Sequence, residues 1–427
     1  MFKVKKVLFV DDELCVIQGF KRMLSRLSDT WDMEFAMSGK EALNHMSKSS
    51  FDVVVSDMRM PAMDGIKLLD TVMDRFPETV RIMLSGHSDR EMVLRSVKCA
   101  HQFLAKPCDP KVIQHTIERT CKLRDLLGNE TLKKYVTGIK DLPSFPGLYD
   151  LIIREMHSPE PSIKKIGYII SQDVSMSAKV LQLVNTAFSG LPEEMRDPQQ
   201  ATIRLGIDAL QALVLSNHVF SSFPEGAELY GLSLLDIWKH NLMTSRLARD
   251  IAYIESGEKE IAEEALTAGM FHDIGKLILM KVPTQYKEVM KFGEKKGCDL
   301  VEAEYAVLKT SHAELGSYLL GLWGIPDNVV EAVAFHHNPS KLLDEMFIIP
   351  GEFQNSYLKQ ELDRNLLTSF TTMTSVHVAN ALMMQKKCSS DTTDFSHIDM
   401  GYLKTLNLTD RLPRWLECYN KVLQEEV

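Results

Sequence analysis

The sequence predicts two folds in tandem: a doubly wound, five-stranded parallel α/β sheet, then an all-α region. Two observations carry this. Over roughly the first 125 residues, short apolar runs alternate with stretches of helical period, which is the pattern of successive βα units. After Pro146 the strand-like runs nearly vanish, and apolar residues recur three and four apart between Pro, Gly or Ser.

The elements follow in order. VLFV (7–10) is a buried-strand run ending in acid, and Leu14, Ile17, Phe20, Leu24 and Leu27 space a helix over 14–27. MEFA (33–36), a helix from about Gly39, VVVS (53–56) and a helix from Ile66 to Phe76 continue the alternation. RIMLS (81–85), a helix near 89–98 and FLA (103–105) complete the sheet. A helix over 109–127 and a short one over 130–138 connect to LPSFPG (142–147), which breaks the chain.

Ligands of such sheets sit beyond the carboxyl ends of the strands. Strand one ends in Asp11 and Asp12, strand three in Asp57, strand four in Ser85 and strand five in Lys106. Three carboxylates at one sheet edge repel one another unless a hard divalent cation lies among them, and Mg²⁺ accepts a few carboxylate oxygens. A hydroxyl and an ammonium opposite would hold phosphoryl oxygens.

VLFVDDE, VVVSDMRMPAMDG, IMLSG and FLAKP closely resemble the receiver domain of two-component response regulators, over residues 5 to about 125. The resemblance implies a flavodoxin-like sheet and a phosphoacceptor at Asp57, served by a sensor histidine kinase. It places Mg²⁺ on Asp12, Asp57 and the Arg59 main-chain carbonyl, with Asp11 acting through a metal-bound water. It gives Lys106 to the phosphoryl oxygens, makes Ser85 and Phe103 the switch, and implies a cis Lys106–Pro107 peptide. Serine for threonine at 85 keeps the hydroxyl, and phenylalanine for tyrosine at 103 loses only a phenol.

Nine of the thirteen histidines follow Pro146. His157, His218 and His397 read as ordinary structural or surface residues. His240, His272 with Asp273, His312 and the pair His336–His337 lie in apolar helical stretches, where an unpartnered imidazole is costly and a shared metal would satisfy it. LPSFPGLYDLI, SQDVSMSAKVLQLVNTAF, ATIRLG, WKHN, FHDIGKLIL, SHAELGSYLLGLWGIP and AFHHNP resemble, in that order, the HDOD domain, a relative of HD phosphohydrolases. The same six positions map onto the metal ligands of HD-GYP cyclic di-GMP phosphodiesterases. The GYP loop is absent, because NPSKLL follows the double histidine, and the late aspartate is Asn380.

The expected organisation is therefore a receiver domain (1–125), a linker helix (126–141), an HD-like HDOD domain (142–390) and a C-terminal helical extension (391–427). The resemblance implies an output exerted through protein contacts with a downstream partner, with no catalytic residue assigned in the HDOD domain. A divalent transition metal there, and a phosphorylation-regulated phosphodiesterase, are the alternatives it leaves open.

Composition narrows the classes. A formal charge of -9 disfavours DNA as a partner, because phosphate binding needs clustered Lys and Arg. Seven cysteines without a CxxC pair suggest neither a zinc ribbon nor a disulfide framework, and fit a reducing cytoplasm. No apolar run reaches the roughly 18 residues of a membrane span, so no membrane is expected. A homodimer is compatible with all of this.

Overall fold

The computed structural model describes residues 4–86, 92, 96, 99–139, 142–144, 146–156, 158, 160–187, 195–207, 210, 221–222, 228–229, 232–341, 370–384 and 395–424. The chain divides into two compact units. One comprises Met1–Pro224, Leu308–Thr310 and Tyr318–Pro326; the other comprises Glu225–Val307, Ser311–Ser317 and Asp327–Val427.

The first unit opens with the expected sheet: β1 (Lys5–Val10), β2 (Trp31–Ala36), β3 (Val53–Asp57), β4 (Val80–Ser85) and β5 (Gln102–Ala105). The strands lie in the order β2-β1-β3-β4-β5, and every pairing is parallel. Helices α1 (Leu14–Met23), α2 (Gly39–Lys48) and α3 (Gly65–Arg75) fill the crossovers. The apolar runs are buried on both faces, with Leu8, Phe9, Val54, Val55, Ile82 and Met83 inaccessible, as helices on both sides of a parallel sheet require. The helix expected near 89–98 lies largely outside the described residues.

The first helix is shorter than its period suggested. It stops at Met23, and Ser25–Leu27 forms a 3₁₀ turn. Ser25 Oγ donates to the Arg22 carbonyl at 2.9 Å, and Ser28 and Thr30 repeat the bond three residues back. Such hydroxyl bonds compete with helical hydrogen bonding.

Helix α4 (Pro110–Leu126) starts with Pro at its first position and the Asp109 carboxylate accepting from Lys111 N–H at 2.8 Å. Helix α5 (Glu130–Thr137) is the short connector that 130–138 predicted. It is followed by α6 (Pro146–Met156), α7 (Ile163–Ser171) and α8 (Val174–Gln182), then a π-helical turn at Leu183–Ala187 and α9 (Pro198–Leu205). Every residue of α8 is buried.

The second unit contains α10 (Leu234–Ser256), α11 (Lys259–Phe271), α12 (Ile274–Met280), α13 (Pro283–Lys296) and α14 (Leu300–Leu308). Next come α15 (His312–Leu322), whose residues from Tyr318 on belong to the first unit, α16 (Asp327–Phe335), α17 (Thr372–Met383), α18 (Met400–Thr405) and α19 (Leu412–Gln424). The Ser233 hydroxyl caps α10 by accepting from Asp236 N–H at 3.0 Å, and Gly257, at φ 71°, ends the helix in the left-handed conformation. Helices α11 and α17 pack on α10. Helix α18 lies in the C-terminal extension; Tyr402 and Leu403 bury its inner side, and Asp399 caps it. Among the described residues, no helix is long and apolar enough to cross a membrane.

Candidate functional site

At the carboxyl edge of the sheet, β1, β3 and β5 bring Asp11, Asp57 and Lys106 together. Lys106 Nζ donates to Asp11 Oδ2 at 2.7 Å and forms a short ion pair with Asp57 Oδ1. Burial works against the ammonium charge, but Asp11 and Asp57 outweigh it, so the Lys106 pKa is raised. Main-chain donors fix the other carboxylate oxygens: Arg59 N–H to Asp57 Oδ2 at 2.8 Å, and Glu13 N–H to Asp11 Oδ1 at 2.9 Å. Asp12 is the more accessible of the N-terminal acids. The donors are all oxygen, which suits a hard cation such as Mg²⁺.

Ser85 ends β4 and is 3% exposed, while Phe103 in β5 is fully buried. The Lys106–Pro107 peptide is cis, as expected. Gly65 is required behind Asp57, because a Cβ there would stand 2.1 Å from the Asp57 carbonyl oxygen.

In the second unit all six expected residues converge. His272 Nε2 lies 3.2 Å from His240 Nε2, His312 Nε2 lies 3.0 Å from His337 Nε2 and 3.2 Å from Asp273 Oδ1, and His336 Nε2 lies 4.0 Å from the same oxygen. Asp273, His312, His336 and His337 form one group of donor atoms within metal-binding reach, and His240, His272 and Asp273 form another. Asp273 belongs to both.

Main-chain contacts set the tautomers. His272 Nδ1 donates to the Gly269 carbonyl at 2.6 Å and His336 Nδ1 to the Val333 carbonyl at 2.8 Å, which leaves both Nε2 lone pairs facing inward. His336 Nε2 is buried without a hydrogen-bond partner. Burial brings the His272 pKa down to about 3 and holds His336 and His337 well below the usual imidazole range, so all three are neutral. Burial also disfavours charge on His312, but Glu304 and Asp273 outweigh it and raise its pKa to about 9. Burial opposes the Asp273 charge too, yet the Lys276 ammonium and the charged His312 keep its pKa well below the usual carboxylate range.

The neutral imidazoles of His272, His336 and His337 around a shared carboxylate make a donor set for a borderline transition metal, which His312 would join by releasing its Nε2 proton. Asn380 takes the place of the expected acid. Its Oδ1 lies 3.0 Å from His240 Nε2, so the amide holds that imidazole by a hydrogen bond.

Three participants did not stand out in the sequence. Glu304 Oε2 accepts from both the main-chain N–H and Nδ1 of His312, at 2.9 and 2.7 Å. Lys276 Nζ donates to Asp273 Oδ2 at 2.6 Å. His377 accepts from Asp399 N–H at Nε2 and donates from Nδ1 to the His336 carbonyl at 2.7 Å, steadying the double-histidine turn. Only the i,i+3 spacing of Asp273 and Lys276 left a local signal. His397 is exposed, in keeping with a surface residue, and His157 and His218 lie outside the described residues.

The response regulator receiver domain family matches residues 7–118, and the HDOD domain family matches residues 142–339. This chain is a receiver domain joined to an HDOD domain. That architecture is that of a two-component response regulator. A Treponema pallidum (strain Nichols) protein is 24% identical to the receiver–HDOD chain over 204 residues, 47% of this chain and 38% of that one. The hydrogenase transcriptional regulatory protein HoxA of Cupriavidus necator is 32% identical over 133 residues, 30% of this chain and 26% of its own. The regulatory protein AtoC of Escherichia coli (strain K12) is 29% identical over 129 residues, 30% and 27% of the two chains. The receiver–HDOD chain thus spans well under half the length of each of these three relatives. Among solved structures, a virulence factor from Campylobacter jejuni shares the fold, at 19% identity and a TM-score of 0.51, over 70% of this chain and 97% of that one.

Proposed function

We propose that Asp57 accepts a phosphoryl group from a sensor histidine kinase and that the HDOD domain passes the signal on by contact with a downstream protein. The observation that carries this reading is the convergence of Asp11, Asp57 and Lys106 at the ends of three strands. Asp11, Asp12, Asp57 and the Arg59 carbonyl would hold Mg²⁺, which shields the carboxylates as a phosphoryl donor approaches. Lys106 then exchanges a carboxylate oxygen for a phosphoryl oxygen, and Ser85 supplies a hydroxyl to another. The net negative charge of the chain argues for a protein rather than DNA as the next partner. The cytoplasm is the compartment such a relay requires, and a homodimer is compatible with it.

With Mg²⁺ and a small acyl-phosphate donor, the protein is expected to take up one acid-labile phosphoryl group, and Asp57→Asn none. Mass spectrometry of intact protein reads this directly. Equal labelling of the two proteins would move the phosphosite elsewhere.

The buried lone pair of His336 Nε2 favours a second reading of the helical domain, in which the histidine pocket holds a divalent transition metal. His240, His272, Asp273, His312, His336 and His337 would be its ligands. Cobalt titration of the full chain should give a saturable visible absorption. His272→Ala should weaken the binding at least tenfold, and Asn380→Asp should tighten it by restoring an anionic donor. Absence of any cobalt spectrum in wild type would reduce the cluster to a hydrogen-bonded core. Turnover of cyclic di-GMP, lost in His272→Ala, would instead support the phosphodiesterase alternative.

A further inference from the structure

Within the first unit, the receiver sheet is tied to helices of the HDOD sequence by a buried polar seam. Arg81 in β4 is 1% exposed and donates to three carbonyls: Cys99 at 2.6 Å, Thr79 at 3.1 Å and Thr137 at 3.0 Å. The Arg81 main-chain N–H donates to His101 Nδ1 at 3.0 Å, which puts the imidazole proton on Nε2, from where it reaches the Thr137 carbonyl at 2.8 Å. Thr137 ends α5, so a guanidinium and an imidazole together satisfy a carbonyl at the negative end of the connector helix. The Thr137 hydroxyl bonds the Tyr318 hydroxyl at 2.9 Å.

The two residues just before Phe103 are held by the HDOD side. Gln182 Nε2, from the end of α8, donates to the His101 carbonyl at 2.8 Å, and Gln102 Nε2 donates to the Gly321 carbonyl in α15 at 2.9 Å. Gly321 lies against Leu123 of α4 so closely that a Cβ would meet its Cδ1 at 2.0 Å. Gln102 and Gln182 are both buried, so each amide that loses its carbonyl must find another partner inside the protein.

One short strand therefore has the phosphoryl-acceptor site at one end and this seam at the other. Residues 102 to 106 span about 13 Å of extended chain. Lys106 directly follows this strand, whose start is pinned to α8 and α15, so strand and ammonium share one short stretch of backbone. Helix α15 begins at His312, a member of the histidine cluster, nine residues or about 14 Å along the helix from Gly321.

We propose that β5 is the transmission element: Gln182 and the Gln102–Gly321 bond read the state of Lys106, and α15 carries it to the histidine pocket. The proposal rests on Asp57 being the phosphoacceptor. Gln102 and Gln182 act here as positioning residues, since neither touches the phosphoryl group.

The test uses the full chain with Mg²⁺ and beryllofluoride as the phosphoryl mimic, read by hydrogen exchange. In wild type, the mimic should change exchange about fivefold or more in β5, in α8 and over His312–Leu322. In a Gln102→Met, Gln182→Met protein, the β5 response should persist while those of α8 and α15 are lost. The same α8 and α15 response in the double variant, or a wild-type response confined to β5, overturns the proposal. A wild-type chain with no response even in β5 overturns the phosphoacceptor reading itself, which separates the two failures. Reciprocity supplies a measurement independent of the variant's folding: cobalt bound in the histidine pocket of wild type should shift beryllofluoride affinity about fivefold, because coupling between two sites is mutual. Unchanged affinity with both ligands bound counts against transmission through α15.

Discussion

Gly275→Ala is expected to lower the thermal midpoint of the helical unit by about 6–12 °C and to abolish the cobalt binding proposed for the histidine pocket. Gly275 stands at the start of α12, where a Cβ would come 1.8 Å from the His312 carbonyl oxygen. No rotamer relieves that contact, since Cβ does not rotate and the facing atom is backbone. From the other side, a Cβ on Gly316 of α15 would meet Ile274 Cγ2 at 2.7 Å and the Gly275 nitrogen at 3.1 Å. Two glycines, one on each helix, thus let α12 and α15 approach closely enough for Asp273 and His312 to meet. Forcing them apart costs about 3 kcal/mol, and a unit of this size loses about 2–4 °C per kcal/mol. Gly19→Ala is the control: Gly19 lies inside α1 with nothing within 4 Å of its would-be Cβ, so alanine should stabilise by about 0.5–1 kcal/mol. Calorimetry distinguishes the two, and an unshifted midpoint for Gly275→Ala would mean the helices are not held at this distance.

Glu304→Ala should destabilise the same unit by about 3–5 kcal/mol, the usual cost of removing one partner from a buried charged pair. Glu304 is inaccessible and its Oε2 accepts from both the main chain and the imidazole of His312. Without it, two buried donors of His312 lose their acceptor, and the imidazole loses the contact that orients Nε2 toward Asp273. Glu304→Gln keeps an acceptor oxygen and should cost less, about 1–2 kcal/mol. Glu302→Ala, two residues earlier on the same helix, removes an exposed carboxylate and should stay within about 0.5 kcal/mol. Urea denaturation of the three variants tests the ordering; a Glu304→Ala protein as stable as Glu302→Ala would show that His312 does not depend on this contact.

These two glutamates show where the sequence stopped being readable. In LVEAEYAVL both occupy a helix with the same polarity, and nothing local says that one faces water and the other an imidazole. The receiver site was legible because each of its residues follows a buried apolar strand, and parallel pairing in register delivers all strand ends to one edge. Strand period alone places Asp11, Asp57, Ser85 and Lys106 there. The histidines were legible as candidates, because imidazoles in apolar helices require partners. Their grouping depends on residues up to 140 positions apart, as with His240 and Asn380.

The sequence by itself determined the two folds, the order of the strands' chemistry and the identity of the histidine donors, since these follow from local period and residue type. Only the tertiary structure decided which imidazole nitrogens face inward, because that depends on the carbonyls of Gly269 and Val333 and on the carboxylate of Glu304. It also decided that Arg81, a charged residue within a strand, caps the connector helix, and that Gln102 and Gln182 bind β5 to helices from the HDOD sequence. Those contacts join segments distant in the chain, and their energies come from burial and hydrogen-bond geometry, which no periodicity encodes.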